Sequence, residues 1–286
     1  MSKNIIALVY DFDGTLSPKT MQNYTVLPNL GVEKTGEFWV EVTKECEDTG
    51  AENTLVWMRK IIELAKDGQT LITKNYFKKC GQKIQYFPGV ESFFKEINKY
   101  VKLVSKGRMQ VRHYIISAGL KEILDGVSIR KEFFNIFGSQ YHYNNADHPD
   151  FPKVVITDTI KTQYLFRINK GKENLGESIN EHMPEDDRPI PFENFIYIGD
   201  GLTDVPAMTL TKKNGGYSIA VYRPRHERGI STCHKLLKAG RVDFIAQADY
   251  KQSSNLYQYV TVSLDVIIKK YEFLRKSKEN CKALAK

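Results

Sequence analysis

Residues Ile5 to Tyr10 form an unbroken apolar run that stops at Asp11-Phe-Asp-Gly-Thr15, an acidic turn carrying a glycine. A run that is apolar at every position reads as a parallel strand covered on both faces. Its C-terminal end then delivers two carboxylates to the sheet edge where open α/β proteins bind their ligands. The run is too short to span a membrane or to serve as a secretory segment.

The pattern recurs. Val111-Arg-His-Tyr-Ile-Ile116 precedes Ser117-Ala-Gly119, and Asn194-Phe-Ile-Tyr-Ile198 precedes Gly199-Asp-Gly-Leu-Thr-Asp204. Tyr217 to Tyr222 and Val242 to Ala246 read as two further strands. Helical patterns lie between them. Val90, Phe93, Phe94, Ile97, Val101 and Val104 repeat at helical spacing, with Pro88 before them and Gly107 after. Leu120 to Leu124 suggests a short helix, Lys161 to Ile168 another after a cap at Asp158, and Val205 to Lys213 a third. Asp204 can itself cap that third helix. Strands alternating with helices predict an α/β fold, a Rossmann-like parallel sheet covered on both sides.

The stretch from Ser17 to Gln85 interrupts this alternation. Leu55, Met58, Ile62 and Ala65 mark a helix face after a cap at Asn53, and Tyr76, Phe77 and Cys80 mark another. Residues 17–85 are therefore expected to form a small helical domain inserted after the first strand, with 1–16 and 86–286 forming the α/β core. Gly171 to Pro191 is polar and proline-containing and reads as an exposed loop. Lys269 to Lys286 reads as the basic, fraying end of a helix.

At 286 residues the chain has room for that arrangement, and its net charge of +8 leaves nucleic acid, an acidic membrane or a small anion open as partners. The basic tail has few aromatics, so nucleic acid is not expected; nor is a membrane. Cys46, Cys80, Cys233 and Cys281 form no CxxC pair and read as reduced, Cys80 packed and Cys281 exposed. No targeting segment is visible, so the expected location is the cytoplasm.

Asp11 can attack phosphorus and become a mixed anhydride, splitting hydrolysis into two easier steps. Asp13, two residues on, can protonate a leaving alkoxide and later take a proton from water. Two carboxylates facing a phosphate need positive charge, hence a metal.

Together, Asp11-Phe-Asp-Gly-Thr15, Ser117, and Gly199-Asp-Gly-Leu-Thr-Asp204 resemble the motifs of the haloacid dehalogenase superfamily, in its phosphoserine-phosphatase-like branch. The resemblance implies a Mg2+-dependent phosphatase with Asp11 as nucleophile and Asp13 as acid and base. Mg2+ would be held by Asp11, the Asp13 backbone carbonyl and Asp200, with Asp204 acting through water or orienting the site. Thr15, Ser117, Ala118 and Gly119 would hold the phosphoryl group. The superfamily also places a lysine beside the nucleophile. Lys161 matches that place at a helix start, with Lys153 and Lys170 as competitors, and the 171–191 loop would account for a long separation from Asp200. The helical insertion then corresponds to a C1-type cap, with Tyr24, Glu33 and Arg59 as candidate substrate contacts, and a small phosphorylated metabolite is the expected substrate.

Two other readings share these residues: a phosphoryl-transferring mutase of the same superfamily, and a non-catalytic binding protein that keeps the fold. His142 and His148, near Asp147 and Asp150, match no closed zinc set and are expected on a polar surface loop. Arg223, Arg225 and Arg228 can contact an anion, but the expectation is a solvated loop.

Overall fold

A computed structural model describes residues 4–284, so the last two residues of the basic tail lie outside the described residues. Seven strands form one sheet: β1 (Ile5–Tyr10), β2 (Gln110–Leu120), β3 (Asn135–Tyr143), β4 (Pro149–Val154), β5 (Phe195–Gly199), β6 (Tyr217–Tyr222) and β7 (Phe244–Gln247). Their order is β4-β3-β2-β1-β5-β6-β7, and every neighbouring pair is parallel except β3 and β4.

Helices α1 (Val26–Asn29), α2 (Thr35–Thr49), α3 (Asn53–Asp67) and α4 (Lys74–Gly81) fall in the stretch expected to be helical. The core helices are α5 (Val90–Val104), α6 (Lys121–Leu124), α7 (Ile160–Lys170), α8 (Val205–Lys213), α9 (Glu227–Lys238) and α10 (Asn255–Leu284). No helix among the described residues is long and apolar enough to cross a membrane.

Every side chain of β1 is buried because successive residues serve opposite faces. Ile6, Leu8 and Tyr10 pack with α5 and α10 through Phe93, Phe94, Val260 and Leu264. Ile5, Ala7 and Val9 pack with α7, α8 and α9 through Leu165, Met208 and Cys233. Apolar residues of the helical stretch, including Met58 and Phe77, continue the first cluster. That stretch rests on the β3 side of the sheet. Tyr141 donates to the Met58 carbonyl at 2.8 Å and stacks on Phe77. The backbones of α4 and α6 approach so closely that a Cβ on Gly81 would lie 2.1 Å from the Ile123 carbonyl oxygen.

Several local expectations are corrected. β3 and β4 carry no continuous apolar run, and β4 is an exposed edge strand that tolerates Pro149 and Pro152. The second strand does not stop before Ser117 but runs to Leu120, with its register to β3 shifting between Ile116 and Leu120. The last strand starts at Phe244 rather than Val242. The cap of α3 is Glu52, whose carboxylate accepts from Leu55 N–H at 3.2 Å, and Asn53 is already helical. Neither Asp158 nor Asp204 caps by side chain: α7 starts after Thr159 with no such bond, and none runs from Asp204 to α8.

His142 lies in β3 rather than in a loop, bonded to Asp150 at 2.8 Å and stacked on Phe151. The 171–191 loop is largely exposed, yet it is organised from within. Arg167 donates to the carbonyls of Lys172, Asn174 and Glu177, and Lys170 to those of Ile179 and Glu181. The four cysteines are free, Cys80 buried and Cys281 exposed.

Candidate active site

The ends of β1, β2 and β5 meet at one edge of the sheet, as adjacent parallel strands must. Asp11 directly follows β1, and its N–H donates to the Ile198 carbonyl at 2.9 Å, which ties the acidic turn to β5. The turn closes on Phe12, whose carbonyl accepts from Leu16 and Ser17. Gly14 sits in the left-handed region at φ +82, and a Cβ there would lie 2.1 Å from Asp200 Oδ2. Only glycine lets the two loops come this close. A Cβ on Gly199 would lie 2.5 Å from Asp204 Oδ2, for the same reason.

α7 delivers Lys161 into the site, with 1% of its surface exposed. Its Nζ lies 3.0 Å from Asp11 Oδ1 and 2.7 Å from Asp204 Oδ1. Burial by itself would lower this ammonium's pKa; Asp11 and Asp204 outweigh it and hold the group above its usual range. The two competitors lie elsewhere. Lys170 serves the 171–191 loop, and Lys153 lines a separate cavity with Lys121 and Asp125.

Asp204 is fully committed. Oδ1 accepts from Lys161 and from the Tyr197 hydroxyl at 2.7 Å, and Oδ2 from the N–H groups of Asp200 and Gly201 at 3.2 and 3.3 Å. Asp11, Asp200 and Asp204 each offer an oxygen within 4.8 Å of the others. Of the three, Asp11 and Asp200 keep coordinating capacity. Among the described residues no hydrogen bond is made to the Asp13 carbonyl.

Four carboxylates thus share one lysine. Burial, then Asp204, pushes Asp11 up to about 6, although Lys161 pulls against the shift. Burial and the Asp11 charge hold Asp13 and Asp200 well above the carboxylate range. The charge deficit and the hard oxygen donors are what a divalent cation fits.

Asp13 Oδ1 accepts from Met21 N–H at 2.9 Å, which orients the carboxyl. Ser117 is buried, and its Oγ accepts from Gly119 N–H at 3.0 Å. The Gly119 amide is therefore occupied, and the Ser117 hydroxyl hydrogen is what remains to donate. A Cβ on Gly119 would lie 2.1 Å from the end of Met21, so that glycine makes room for the loop carrying Met21. The Ala118 carbonyl accepts from Ser139. Thr15 is fully buried with its Oγ1 unpartnered, while its carbonyl accepts from the Tyr250 hydroxyl at 2.9 Å.

Tyr24 bonds Ser17 at 2.9 Å, and its phenol, raised first by burial, lies in the field of both Asp13 and Arg223. Arg59 is paired with Glu45 and Glu63, and Glu33 lines a cavity of about 540 Å³ within the helical stretch that does not include Asp11. Sequence reasoning missed Tyr197 and Tyr250. Tyr197 had a signal, a phenol in the apolar strand just before the acidic motif; Tyr250, 235 residues from its partner, had none.

No known protein-family profile matches this chain. It is 29% identical over 283 residues to an uncharacterized protein of Borreliella burgdorferi, covering 90% of this chain and 96% of the other. Its structure is similar to a phospho-aspartyl intermediate analogue of phosphoserine phosphatase, with a TM-score of 0.56 at 19% identity, covering 91% of this chain and 99% of that one. The chain has the haloacid dehalogenase fold. A HAD-family hydrolase from Salmonella enterica serovar Typhi shares it with a TM-score of 0.54 at 18% identity, covering 77% of this chain and 64% of that one. A substrate-bound phosphoserine phosphatase shares the HAD fold at 0.51 and 18% identity, covering 83% of this chain and 98% of that one. These likenesses concern the fold. The chemistry rests on the residues gathered at the HAD-type sheet edge.

Proposed function

We propose that the protein is a Mg2+-dependent phosphatase that hydrolyses a small phosphate monoester through a phosphorylated Asp11. One observation carries the reading: Lys161 is buried between Asp11 and Asp204, with Asp13 and Asp200 beside them and too little positive charge for the set. Such a deficit is costly unless a cation completes it, and the same cation then offsets the charge of an anionic substrate. Asp11, Asp200 and the Asp13 carbonyl would hold the metal. It would offset negative charge and polarise a phosphoryl oxygen.

Asp11 attacks phosphorus as the ester oxygen leaves. Asp13, kept protonated by burial and by Asp11, gives its proton to that oxygen. Its carboxylate then takes a proton from a water that attacks the same phosphorus, and the bond to Asp11 breaks, releasing phosphate. Lys161 holds Asp11 in place and neutralises the transferring group, and Ser117 donates to a phosphoryl oxygen. Asp204 acts as a positioning residue for Lys161. Residues 17–85 act as a cap that shields the phosphorylated aspartate from bulk water, with Tyr24 at the junction.

Phosphate release from phenyl phosphate, with Mg2+ and with chelator, tests the proposal. Activity is expected only with metal and is lost in Asp11→Asn; acid-quenched enzyme should carry phosphate on Asp11. Activity that survives Asp11→Asn or the chelator overturns it.

A further inference from the structure

A cavity of about 370 Å³ adjoins the site, lined by Gly14 and Asp200 of the acidic loops and by Arg223 and Arg228. Leu202 and Val221 add apolar surface to its lining. Arg223 follows β6, and Arg228 and Thr232 lie on the first turns of α9, so their backbone positions are set by the sheet and by a twelve-residue helix. The His226 side chain accepts from Gly229 N–H at 3.2 Å, which holds the turn between the two arginines in shape.

Arg223 and Arg228 are exposed, and neither has an ion-pair partner among the described residues. Arg59, Arg130, Arg188 and Arg275 all sit beside carboxylates. Two unpaired guanidiniums facing one cavity repel each other, and neither is neutralised by the protein. A planar fork of donors in that position matches a carboxylate or a phosphate. The volume suits a small molecule rather than a polymer.

From this cavity we infer that the substrate carries a second anionic group, joined to the scissile phosphate by a short carbon chain and held by Arg223 and Arg228. The inference rests on the phosphatase reading and sharpens it. It moves specificity from the helical stretch to the core loop after β6. The scissile phosphate lies between Asp11 and Ser117, the carbon chain passes Gly14 and Leu202, and the second anion reaches the arginines. Gly14 therefore has a further role, since any side chain there would narrow the passage as well as strike Asp200.

Three matched esters test this: propyl phosphate, 3-carboxypropyl phosphate and propane-1,3-diyl bisphosphate. The enzyme is expected to favour one or both doubly charged esters in kcat/KM by about tenfold or more, the ratio one charge-assisted hydrogen bond supplies. Preference for only one of them identifies the second anion as carboxylate or phosphate. In the Arg223→Gln, Arg228→Gln double variant the ratio should fall towards one, chiefly through KM. Arg225→Asn removes the same charge from the same loop, outside the cavity, and suits the left-handed backbone there at φ 59; it should keep the ratio.

Equal rates for the three esters, or a ratio that survives the double variant, overturn the inference while leaving the phosphatase reading intact. If none of the three is hydrolysed, the phenyl phosphate assay decides whether that reading fails instead. Equilibrium dialysis of the bisphosphate then decides the second-anion site on its own. Weaker binding to the double variant than to the wild type supports it, and equal binding overturns it.

Discussion

Lys161 and Tyr197 donate to the same oxygen of Asp204, each at 2.7 Å, from a helix and a strand that meet only in the folded chain. Asp204 thereby becomes a fixed anion that aims Lys161 at Asp11. Its other oxygen is held by two backbone amides, so the carboxylate has no freedom to swing.

Tyr197→Phe removes one donor without changing shape. A hydrogen bond to a charged acceptor is worth about 1.5–3 kcal/mol, and the variant should lose stability in that range in urea unfolding. Phosphatase activity should fall less than in Asp204→Asn, which alters the anion itself. A Tyr197→Phe protein as stable as the wild type would argue against this positioning role.

Lys161→Met strands Asp11 and Asp204 without a counter-charge, at a cost of about 3–5 kcal/mol. Phosphatase activity should disappear. The folded pKa of Asp11, already raised, would rise further above its unfolded value. Protonation then favours the folded state, so the variant should regain stability relative to wild type as pH falls from 7.5 to 5. Denaturation curves that stay parallel across that range would count against it.

Gly14→Ala should behave as a metal-site lesion. The new Cβ would lie 2.1 Å from Asp200 Oδ2 on a backbone at φ +82, forcing the two loops apart. Left-handed strain adds about 1–2 kcal/mol. Mg2+ titration of activity should show a half-saturation point raised about tenfold or more, comparable with Asp200→Asn. An unchanged Mg2+ requirement would separate Gly14 from the metal site.

His113 is buried beside Tyr10 and Phe94, its Nδ1 bonded to the Tyr10 hydroxyl at 3.0 Å. Burial lowers its pKa from 6.5 to about 3. The unfolded chain therefore binds the proton first. Stability should fall as pH drops below 6.5 and keep falling to about 3, at up to about 1.4 kcal/mol per pH unit. His113→Phe should be less stable at pH 7.5 yet show a shallower loss between pH 7 and 5. Because carboxylates titrate there too, the comparison of the two slopes is the measurement.

The parallel sheet was legible because its central strands are buried on both faces and must be apolar throughout. Ile5 to Tyr10 and Phe195 to Ile198 read as strands for that reason, and the acidic motifs at their ends followed. β3 and β4 were not legible: β4 is an edge strand with an exposed face, two prolines and no apolar signature. α2 was missed because only Phe38 and Val42 along it are buried.

The end of β1 at Asp11, and the chemical types and chain order of the site residues, were determined by the sequence alone, since each depends on neighbours within a few residues. Which lysine faces Asp11, which tyrosines brace the site, and that two arginines without ion-pair partners share a cavity with Asp200 were decided only by the tertiary structure. Charge and hydrogen bonding act over a few ångströms through space. β1 lies far along the chain from its sheet neighbours β2 and β5, so residues distant in sequence settle those questions.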